Sequence, residues 1–303
     1  GLFTSWYVKA ACLATGTPFV AAHYYPGLVP SREAPPAGFP AWRWLHPLSW
    51  KLFGAVIDLA FRNAPARFFA SKGLPKVRSA VSDVLTSDRL NLFGASPSLF
   101  PPPPDWGEVH AVCGDFVLPA AAQPWEPSIE LRAFLEEGEK PVLVSFGTME
   151  HLAPQRSRDL VTAAVAKAGV RAIVQTRCGP GGEGRDGDLY FLRWAPHAHV
   201  LKRCAAMILH GGAGTTHAAL RAGVPAVVVP FIFEQGLWGK LLHRAGSAAK
   251  PLPFWKATPE ALAARLREAV GSERMRARAA ELAAQVARED GTGVAAGRLE
   301  ALA

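Results

Sequence analysis

The stretch that decides the fold runs from residue 206 to residue 216 and reads Ala206-Met207-Ile208-Leu209-His210-Gly211-Gly212-Ala213-Gly214-Thr215-Thr216. Its apolar start predicts a short buried strand, and the residues that follow Thr215 have the pattern of a helix. Glycines remove side chains from the turn, so an anion can reach the free N–H groups at the positive end of the helix dipole. The stretch therefore predicts a phosphate site, to which His210 adds a ring N–H and Thr215 or Thr216 a hydroxyl. A tight threonine-capped turn beside a satisfied histidine is the alternative.

Two familiar phosphate-binding motifs do not fit this turn. When the dinucleotide motif G-x-G-x-x-G is counted from Gly212, the third glycine position holds His217. No Gly-Lys-Ser/Thr follows the turn, as a P-loop would require. The sequence therefore disfavours a dinucleotide or ATP site.

Strands and helices alternate on both sides of the turn. The pattern predicts strands at 142–146, 171–175, 189–191, 206–209 and 226–229, with helices at 154–168, 198–204, 215–222, 259–270 and 274–288. Apolar strands that alternate with helices indicate a doubly wound parallel sheet, which binds ligands beyond the carboxyl ends of its strands. A second turn there, Ser145-Phe146-Gly147-Thr148, offers a close backbone approach at Gly147 and a hydroxyl at Thr148, although an ordinary turn has the same composition.

The first part of the chain shows a less regular α/β pattern. It predicts helices at 6–13, 48–62 and 74–85, strands at 19–22 and 89–94, and a loop over most of 26–47. The proline-rich segment 118–128 has the composition of an interdomain linker. We therefore predict two domains, 1–122 and 123–303.

Composition excludes several classes of protein. The chain has 303 residues, half of them hydrophobic, and a net charge of +8. Its densest basic cluster, 265–288, alternates with alanine and leucine, which favours a solvated helix face over a nucleic-acid surface. The four cysteines form no Cys-x-x-Cys pair, so neither a metal site nor a disulfide framework is predicted, and a cytoplasmic location fits. The longest apolar run, 52–61, contains Asp58 and is too short for stable membrane insertion.

Spaced motifs around the glycine turn carry a resemblance to a known family. In order along about forty residues stand Trp194-Ala195-Pro196-His197-Ala198-His199-Val200-Leu201, the turn itself, Gly223-Val224-Pro225, Pro230 and Glu234-Gln235. They resemble the donor-binding signature of family-1, UDP-glycosyltransferase-like enzymes of the bacterial sterol, polyketide and antibiotic type. The resemblance implies a GT-B fold, an α/β architecture of two Rossmann-like domains with doubly wound parallel sheets, of which the N-terminal one is incomplete.

The resemblance also implies roles for single residues on the donor side. Trp194 would lie against the nucleobase, while Ala195 and His197 read its edge. The remaining donor-binding positions would hold the diphosphate and the sugar; they are Gly147, Thr148, His210, Gly212, Gly214, Thr215, Glu234 and Gln235. Neither a metal nor a cofactor is implied, since the nucleoside-diphosphate sugar is the donor substrate. Plant members carry Gln at His197 and a ribose-binding Glu at Ala218, and Asp is commoner at Glu234, so the nucleobase and the sugar stay open.

The implied activity is inverting transfer of a hexose from a UDP- or dTDP-sugar to a hydroxyl of a small lipophilic or phenolic acceptor. Sterols, polyketides and flavonoids are acceptors of this kind. His23, Tyr24 and Tyr25 would line the acceptor pocket. The family's general base is expected before Gly1, in a missing segment or a partner chain that completes the first domain; His23 is a candidate, against the alternative of a core histidine. A partner-dependent nucleotide-sugar-binding module and a sugar-nucleotide epimerase are the rival functions.

Overall fold

The computed structural model describes residues 5–36, 39, 42–117, 125–176 and 182–302. The chain divides into two compact units: unit 1 is Gly1–Phe116 with Asp290–Ala303, and unit 2 is Val117–Glu289. The boundary predicted between residues 122 and 123 lies outside the described residues and stays a prediction. The last residues of the chain, which the sequence placed in the second domain, group with unit 1 in the structure.

Unit 2 is built on one six-stranded sheet. Its strands are β4 (Val142–Ser145), β5 (Ala172–Gln175), β6 (Gly184–Asp186), β7 (Leu189–Leu192), β8 (Ala206–Leu209) and β9 (Ala226–Val228). They lie in the order β6-β7-β5-β4-β8-β9, and all neighbours are parallel except β6 and β7. Counted in chain order, the parallel strands run 3-2-1-4-5, so the winding direction reverses between β4 and β8. The predicted doubly wound sheet is confirmed for this unit.

Helices cover both faces of this sheet. They are α4 (Ile129–Glu136), α5 (Pro154–Ala168), α6 (His197–Val200), α7 (Ala213–Ala222), α8 (Gln235–Arg244), α9 (Pro259–Gly271) and α10 (Glu273–Val286). Val144, Ile208 and Leu266 belong to a core cluster of strand and helix side chains that are almost fully buried. Burial of these continuous apolar strands gives the sheet a rigid edge, on which the turns that follow each strand are held.

Unit 1 contains a smaller parallel sheet. Strands β1 (Val20–His23), β2 (Leu90–Phe93) and β3 (His110–Val112) lie in that order, with helices α1 (Ser5–Thr15), α2 (His46–Phe61), α3 (Asn63–Ser71) and α11 (Gly291–Glu300). Ala295 of α11 packs on the β2 and β3 side chains. A Cβ at Gly291 would stand 2.5 Å from the backbone of Gly114, so only glycine allows α11 to begin this close to the strand end.

The observed helices differ from the predictions in their bounds and in their number. The helix predicted over 74–85 is helical only from Ala80, because Pro75 disfavours helical backbone at Leu74. The pattern missed four helices, α3, α4, α8 and α11, and the short strands β3 and β6. The second closing helix ends at Val286, and Asp290 begins a further helix, accepting a hydrogen bond of 2.8 Å from the Gly293 N–H. Among the described residues, no helix combines the length and apolar character needed to cross a bilayer.

Candidate functional site

Two turns meet where the winding of the unit 2 sheet reverses. Strands β4 and β8 are neighbours, with Ser145 beside Leu209, so the chain leaves both strands side by side at Gly147 and His210. Gly147 has a φ of +55°, and a Cβ there would stand 3.2 Å from Cε1 of His210. Open α/β sheets bind ligands in the crevice at such a reversal point. The structure thus brings together two turns that the sequence placed more than sixty residues apart.

The His210 ring also lies against Gly212. A Cβ at Gly212 would stand 2.3 Å from His210 Nε2, so a side chain there and the observed ring position exclude each other. Gly211 has a φ of +87°, and its missing side chain admits the Gln235 carbonyl oxygen, which would lie 2.6 Å from a Cβ. The glycines of this turn therefore serve the packing of His210 and of the chain around Gln235.

The start of α7 is open to a ligand. Gly212 caps the helix without a side-chain hydrogen bond, and a Cβ at Gly214 would have no protein atom within 4 Å. The Thr215 hydroxyl donates to the Gly212 carbonyl at 3.0 Å, whereas Thr216 is fully buried. Free N–H groups and the helix dipole at this open end suit an anion. Thr215 thus remains near the predicted phosphate site, but the Thr216 hydroxyl does not face it.

Two histidines beside this helix start are poorly hydrated. Burial lowers the pKa of His210 to about 4, and burial also lowers the pKa of His197. His197 Nε2 lies 2.9 Å from Oε1 of Gln175, the last residue of β5. Both rings are therefore neutral at pH 7, and a bound diphosphate would raise their pKa values by favouring the charged form. Gln175 was missed by the sequence reading; its place at the end of a strand was the available signal.

A flat aromatic surface follows β7. Trp194 is 55% exposed, whereas Ala195 is 4% exposed. An exposed indole next to backbone polar groups suits a base that is stacked on one face and hydrogen-bonded at its edge. This arrangement fits the predicted roles of Trp194 and Ala195.

Glu234 and Gln235 differ sharply in environment. Gln235 is 2% exposed, and its Oε1 accepts hydrogen bonds from the N–H groups of Phe231 at 2.8 Å and Ile232 at 3.3 Å. Its oxygen thus holds the loop between β9 and α8, and its amide N–H groups are the part left for a ligand. Partial desolvation raises the pKa of the Glu234 carboxyl, which precedes α8.

Known proteins match parts of this sequence. The C-terminal domain model of erythromycin biosynthesis protein CIII-like proteins matches residues 184–302. The chain is 38% identical over 238 residues to O-mycaminosyltylonolide 6-deoxyallosyltransferase of Streptomyces fradiae, covering 77% of this chain and 55% of that protein. It is 36% identical over 160 residues to a sterol 3-beta-glucosyltransferase of Arabidopsis thaliana, covering 52% of this chain and 25% of that protein.

Solved structures of the same class share the fold. The glycosyltransferase of kitacinnamycin superposes with a TM-score of 0.69 at 20% identity, covering 97% of this chain and 73% of that chain. The spinosyn rhamnosyltransferase SpnG, complexed with thymidine diphosphate, gives a TM-score of 0.64 at 18% identity, covering 97% and 70%. The sequence is therefore similar to glycosyltransferases of the family-1 type, and the chain shares the GT-B fold of its structural neighbours. It spans about half the length of the Streptomyces relative and a quarter of the plant relative.

In this GT-B chain the three predicted acceptor residues do not form one surface. Tyr24 is 53% exposed and packs edge-on against Phe116, whereas Tyr25 packs against the unit 1 core cluster that contains Leu28. His23 is 9% exposed, with its ring 5.3 Å from that of Phe93. Only Tyr24 is thus presented to solvent, and the acceptor pocket stays a prediction.

The environment of His23 bears on its candidacy as a base. Burial lowers its pKa to about 4, and the nearby His110 lowers it further, while a hydrogen bond with Asn91 acts in the opposite direction. The groups that shift this pKa include no carboxylate, so none of them stabilises the imidazolium. A base with this pKa is neutral at pH 7 but weak, which favours the alternative of a core histidine.

No group of acidic, histidine or cysteine side chains within the described ranges is arranged to hold a metal ion. His197, His199 and His217 are therefore not part of a metal-binding group in the described part of the chain. His217 is fully buried, with Nδ1 2.8 Å from the Ala213 carbonyl oxygen, and packs edge-on against Trp238.

Two substitutions of Gln235 are expected to show whether its side-chain oxygen stabilises the loop between β9 and α8. Gln235→Met leaves the N–H groups of Phe231 and Ile232 without their acceptor, and should lower the free energy of unfolding by about 2 kcal/mol. Gln235→Glu keeps an oxygen acceptor at the start of α8, where a negative charge is favoured, and should cost less than about 1 kcal/mol. Urea unfolding followed by circular dichroism measures both. Equal losses in the two variants would show that the oxygen does not hold the loop.

The two buried histidines are expected to make the protein acid-sensitive. His23 and His210 each have a folded-state pKa of about 4 against an ordinary value of 6.5. The unfolded chain therefore binds more protons between these values, so stability is complete above pH 6.5 and falls as the pH drops towards 4. The loss should be about 1–3 kcal/mol for each residue after allowance for solvent screening.

Single glutamine variants test this assignment. His23→Gln and His210→Gln should each flatten the acid limb of a plot of unfolding free energy against pH. His151→Gln, at an exposed histidine, is the control and should leave that limb unchanged. If the unfolding free energy of both His23→Gln and His210→Gln falls with pH as steeply as that of the wild type, these histidines are not the cause of the acid sensitivity.

Proposed function

We propose that this chain binds a UDP- or dTDP-sugar in unit 2 and serves the inverting transfer of its hexose to a hydroxyl of a small lipophilic or phenolic acceptor. One observation carries the proposal: the His210 ring is held by Gly147 and Gly212 beside the open start of α7, at the point where the sheet winding reverses. A neutral imidazole, free backbone N–H groups and a helix dipole in one place suit a diphosphate.

In the proposed transfer, the acceptor oxygen forms a bond to the anomeric carbon as the bond from that carbon to the diphosphate oxygen breaks. The diphosphate leaves with the electron pair, and the acceptor proton passes to a general base. The α7 N–H groups and His210 stabilise the charge that develops on the leaving diphosphate. The Gln235 amide N–H groups and the Glu234 carboxylate orient the sugar hydroxyls. No cofactor enters this scheme.

Two features support the choice of nucleotide. Trp194 offers an exposed indole for a pyrimidine, and two structural neighbours, SpnG and the glycosyltransferase VinC, were solved with thymidine diphosphate. Position 218, where plant family members carry a ribose-binding glutamate, is a buried alanine. UDP and dTDP are therefore the nucleotides to compare.

We also place the protein in the cytoplasm. Cys12, Cys113 and Cys204 are free thiols, and Cys178 lies outside the described residues. Free thiols are typical of a reducing compartment.

The second candidate is a nucleotide-sugar-binding module that relies on another segment or chain for its base. The burial and low pKa of His23 favour it, because no other described residue was predicted to act as the base. Under this alternative, nucleotide binding is retained but nucleotide release from a sugar donor needs the completing partner.

The test has two stages. First, UDP and dTDP are titrated while the melting temperature is recorded; binding at a hundredfold excess over Kd adds about 2.7 kcal/mol to the folded state. Second, UDP-glucose and dTDP-glucose are incubated with sterol, macrolide-aglycone and flavonoid acceptors, and free nucleotide is measured.

The outcomes separate the candidates. Acceptor-dependent nucleotide release supports the transferase, whereas binding without release supports the module. Interconversion of the free nucleotide sugar would indicate an epimerase. If neither diphosphate raises the melting temperature, the donor site itself is refuted.

A further inference from the structure

Helix α2 of unit 1 presents apolar side chains on two opposite faces. Its inner face buries Trp50 and Phe53 in unit 1. Four further apolar side chains lie in the open, which we call the apolar stripe: Leu48 at 62% exposure, Leu52 at 54%, Val56 at 54% and Leu59 at 82%. Spacings of four, four and three residues place them on one side of the helix. Among the described residues, no other helix of unit 1 exposes as many large apolar side chains.

Two tryptophans extend the apolar stripe at the start of the helix. Trp42 is 61% exposed and Trp44 is 76% exposed, and their rings stack at a centroid distance of 6.2 Å with an interplanar angle of 5°. Tryptophan combines a large apolar body with one polar N–H, a combination that is favoured at the boundary between lipid and water. Large exposed apolar surfaces of this kind mark interaction sites.

The segment around the stripe is strongly basic. Between residues 42 and 78 the only carboxylate is Asp58, against the basic side chains of Lys51, Arg62, Arg67, Lys72, Lys76 and Arg78. Arg43 is also basic, but it forms an ion pair of 2.6 Å with Glu33. The Asp58 carboxylate is engaged within unit 1, because its Oδ1 accepts a hydrogen bond from the Ala80 N–H at 2.5 Å. Lys51 and Arg62 are exposed and lie three residues from Leu48 and Leu59, so they stand on the flank of the stripe.

From this combination we infer that the outer face of α2, with Trp42 and Trp44, binds the surface of an anionic lipid bilayer. The helix would lie in the plane of the interface, with the stripe among the upper acyl chains and Lys51 and Arg62 at the phosphates. Charge favours this occupant over a second copy of the chain. An antiparallel two-fold contact through the stripe would place the same basic flank against itself, which costs energy.

Vesicle sedimentation tests the inference with the whole chain. We expect binding to vesicles of phosphatidylcholine with about one third phosphatidylglycerol, and at least about tenfold weaker binding to phosphatidylcholine alone. Leu59→Glu should reduce the partition coefficient by about tenfold or more, because it puts a charge in place of a leucine that the bilayer would bury. Lys51→Glu should reduce it by roughly fivefold or more, and added salt should weaken binding of the wild type.

Ile129→Glu is the matched control. Ile129 begins α4 of unit 2 and is 89% exposed, so the substitution likewise replaces an exposed apolar helical residue by glutamate, but one that is not part of the stripe. It should leave vesicle binding unchanged, and circular dichroism of each variant checks that the fold is kept.

Three results would overturn the inference. One is equal sedimentation of the wild type with and without anionic vesicles. Another is an equal effect of Leu59→Glu and Ile129→Glu on binding. The third is concentration-dependent self-association that Leu59→Glu abolishes while no vesicle binding occurs, which would assign the stripe to a second copy. None of these measurements uses a nucleotide, so they stand apart from the test of the donor site.

Discussion

Gly212→Ala is expected to weaken UDP or dTDP binding by about 100-fold, which amounts to the loss of one or two hydrogen bonds to a charged group. The new methyl group would stand 2.3 Å from His210 Nε2, so the ring must leave its position beside Gly147. Displacement of the ring removes its N–H from the diphosphate and shifts the first turn of α7. Isothermal titration calorimetry with each nucleotide measures the change, and the prediction rests on the proposed donor site.

Gly214→Ala provides a contrast within the same turn. No protein atom lies within 4 Å of its Cβ position, so the free protein should keep its stability, and alanine is a better helix former than glycine. Any loss of nucleotide affinity in this variant would come from the methyl group meeting the ligand. Gly271→Ala, at the end of α9 and also without close neighbours, is the control that should change neither quantity by much.

The two variants are therefore expected to differ in the free protein. Gly212→Ala should lower the melting temperature before any nucleotide is added, whereas Gly214→Ala should not. Retention of wild-type affinity in Gly212→Ala would show that the position of His210 does not govern binding, and would remove the main support for the donor site.

The second large effect is on stability. Gly211→Ala is expected to reduce the free energy of unfolding by about 3–5 kcal/mol, enough to unfold a marginally stable unit. Part of this is backbone strain, about 1–2 kcal/mol for a residue with a side chain at positive φ. The rest is steric, because the Cβ would lie 2.6 Å from the Gln235 carbonyl oxygen and 2.9 Å from Val228 Cγ1.

Gly187→Ala separates these two contributions. Gly187 has a φ of +58° but no atom within 4 Å of its Cβ position, so its substitution should cost only the strain, about 1–2 kcal/mol. Urea unfolding of the whole chain, followed by circular dichroism, gives both values. Equal costs would mean that the turn between β8 and α7 moves away from Gln235 at little expense.

The architecture of unit 2 could be predicted because its signals are local. The apolar run 206–209 and the glycines after it specify a strand and a turn without reference to any distant residue, and α5 was predicted with both of its observed ends. The missed helices show the opposite case. In α8 the sequence Gln235-Gly236-Leu237-Trp238-Gly239 contains two glycines, which weaken a helical pattern, while burial of Trp238 in the tertiary structure stabilises it.

The sequence by itself predicted the kind of site: glycines, His210 and a helix start predict anion binding, and the motifs from Trp194 to Gln235 predict a nucleotide-sugar ligand. The tertiary structure decided which groups meet. The pairing of β4 with β8 placed Gly147 against His210, and Gln175 reached His197 from another strand. It also committed the Gln235 oxygen to the N–H groups of Phe231 and Ile232. Strand order and side-chain burial arise from contacts between distant segments, and local residue patterns do not contain them.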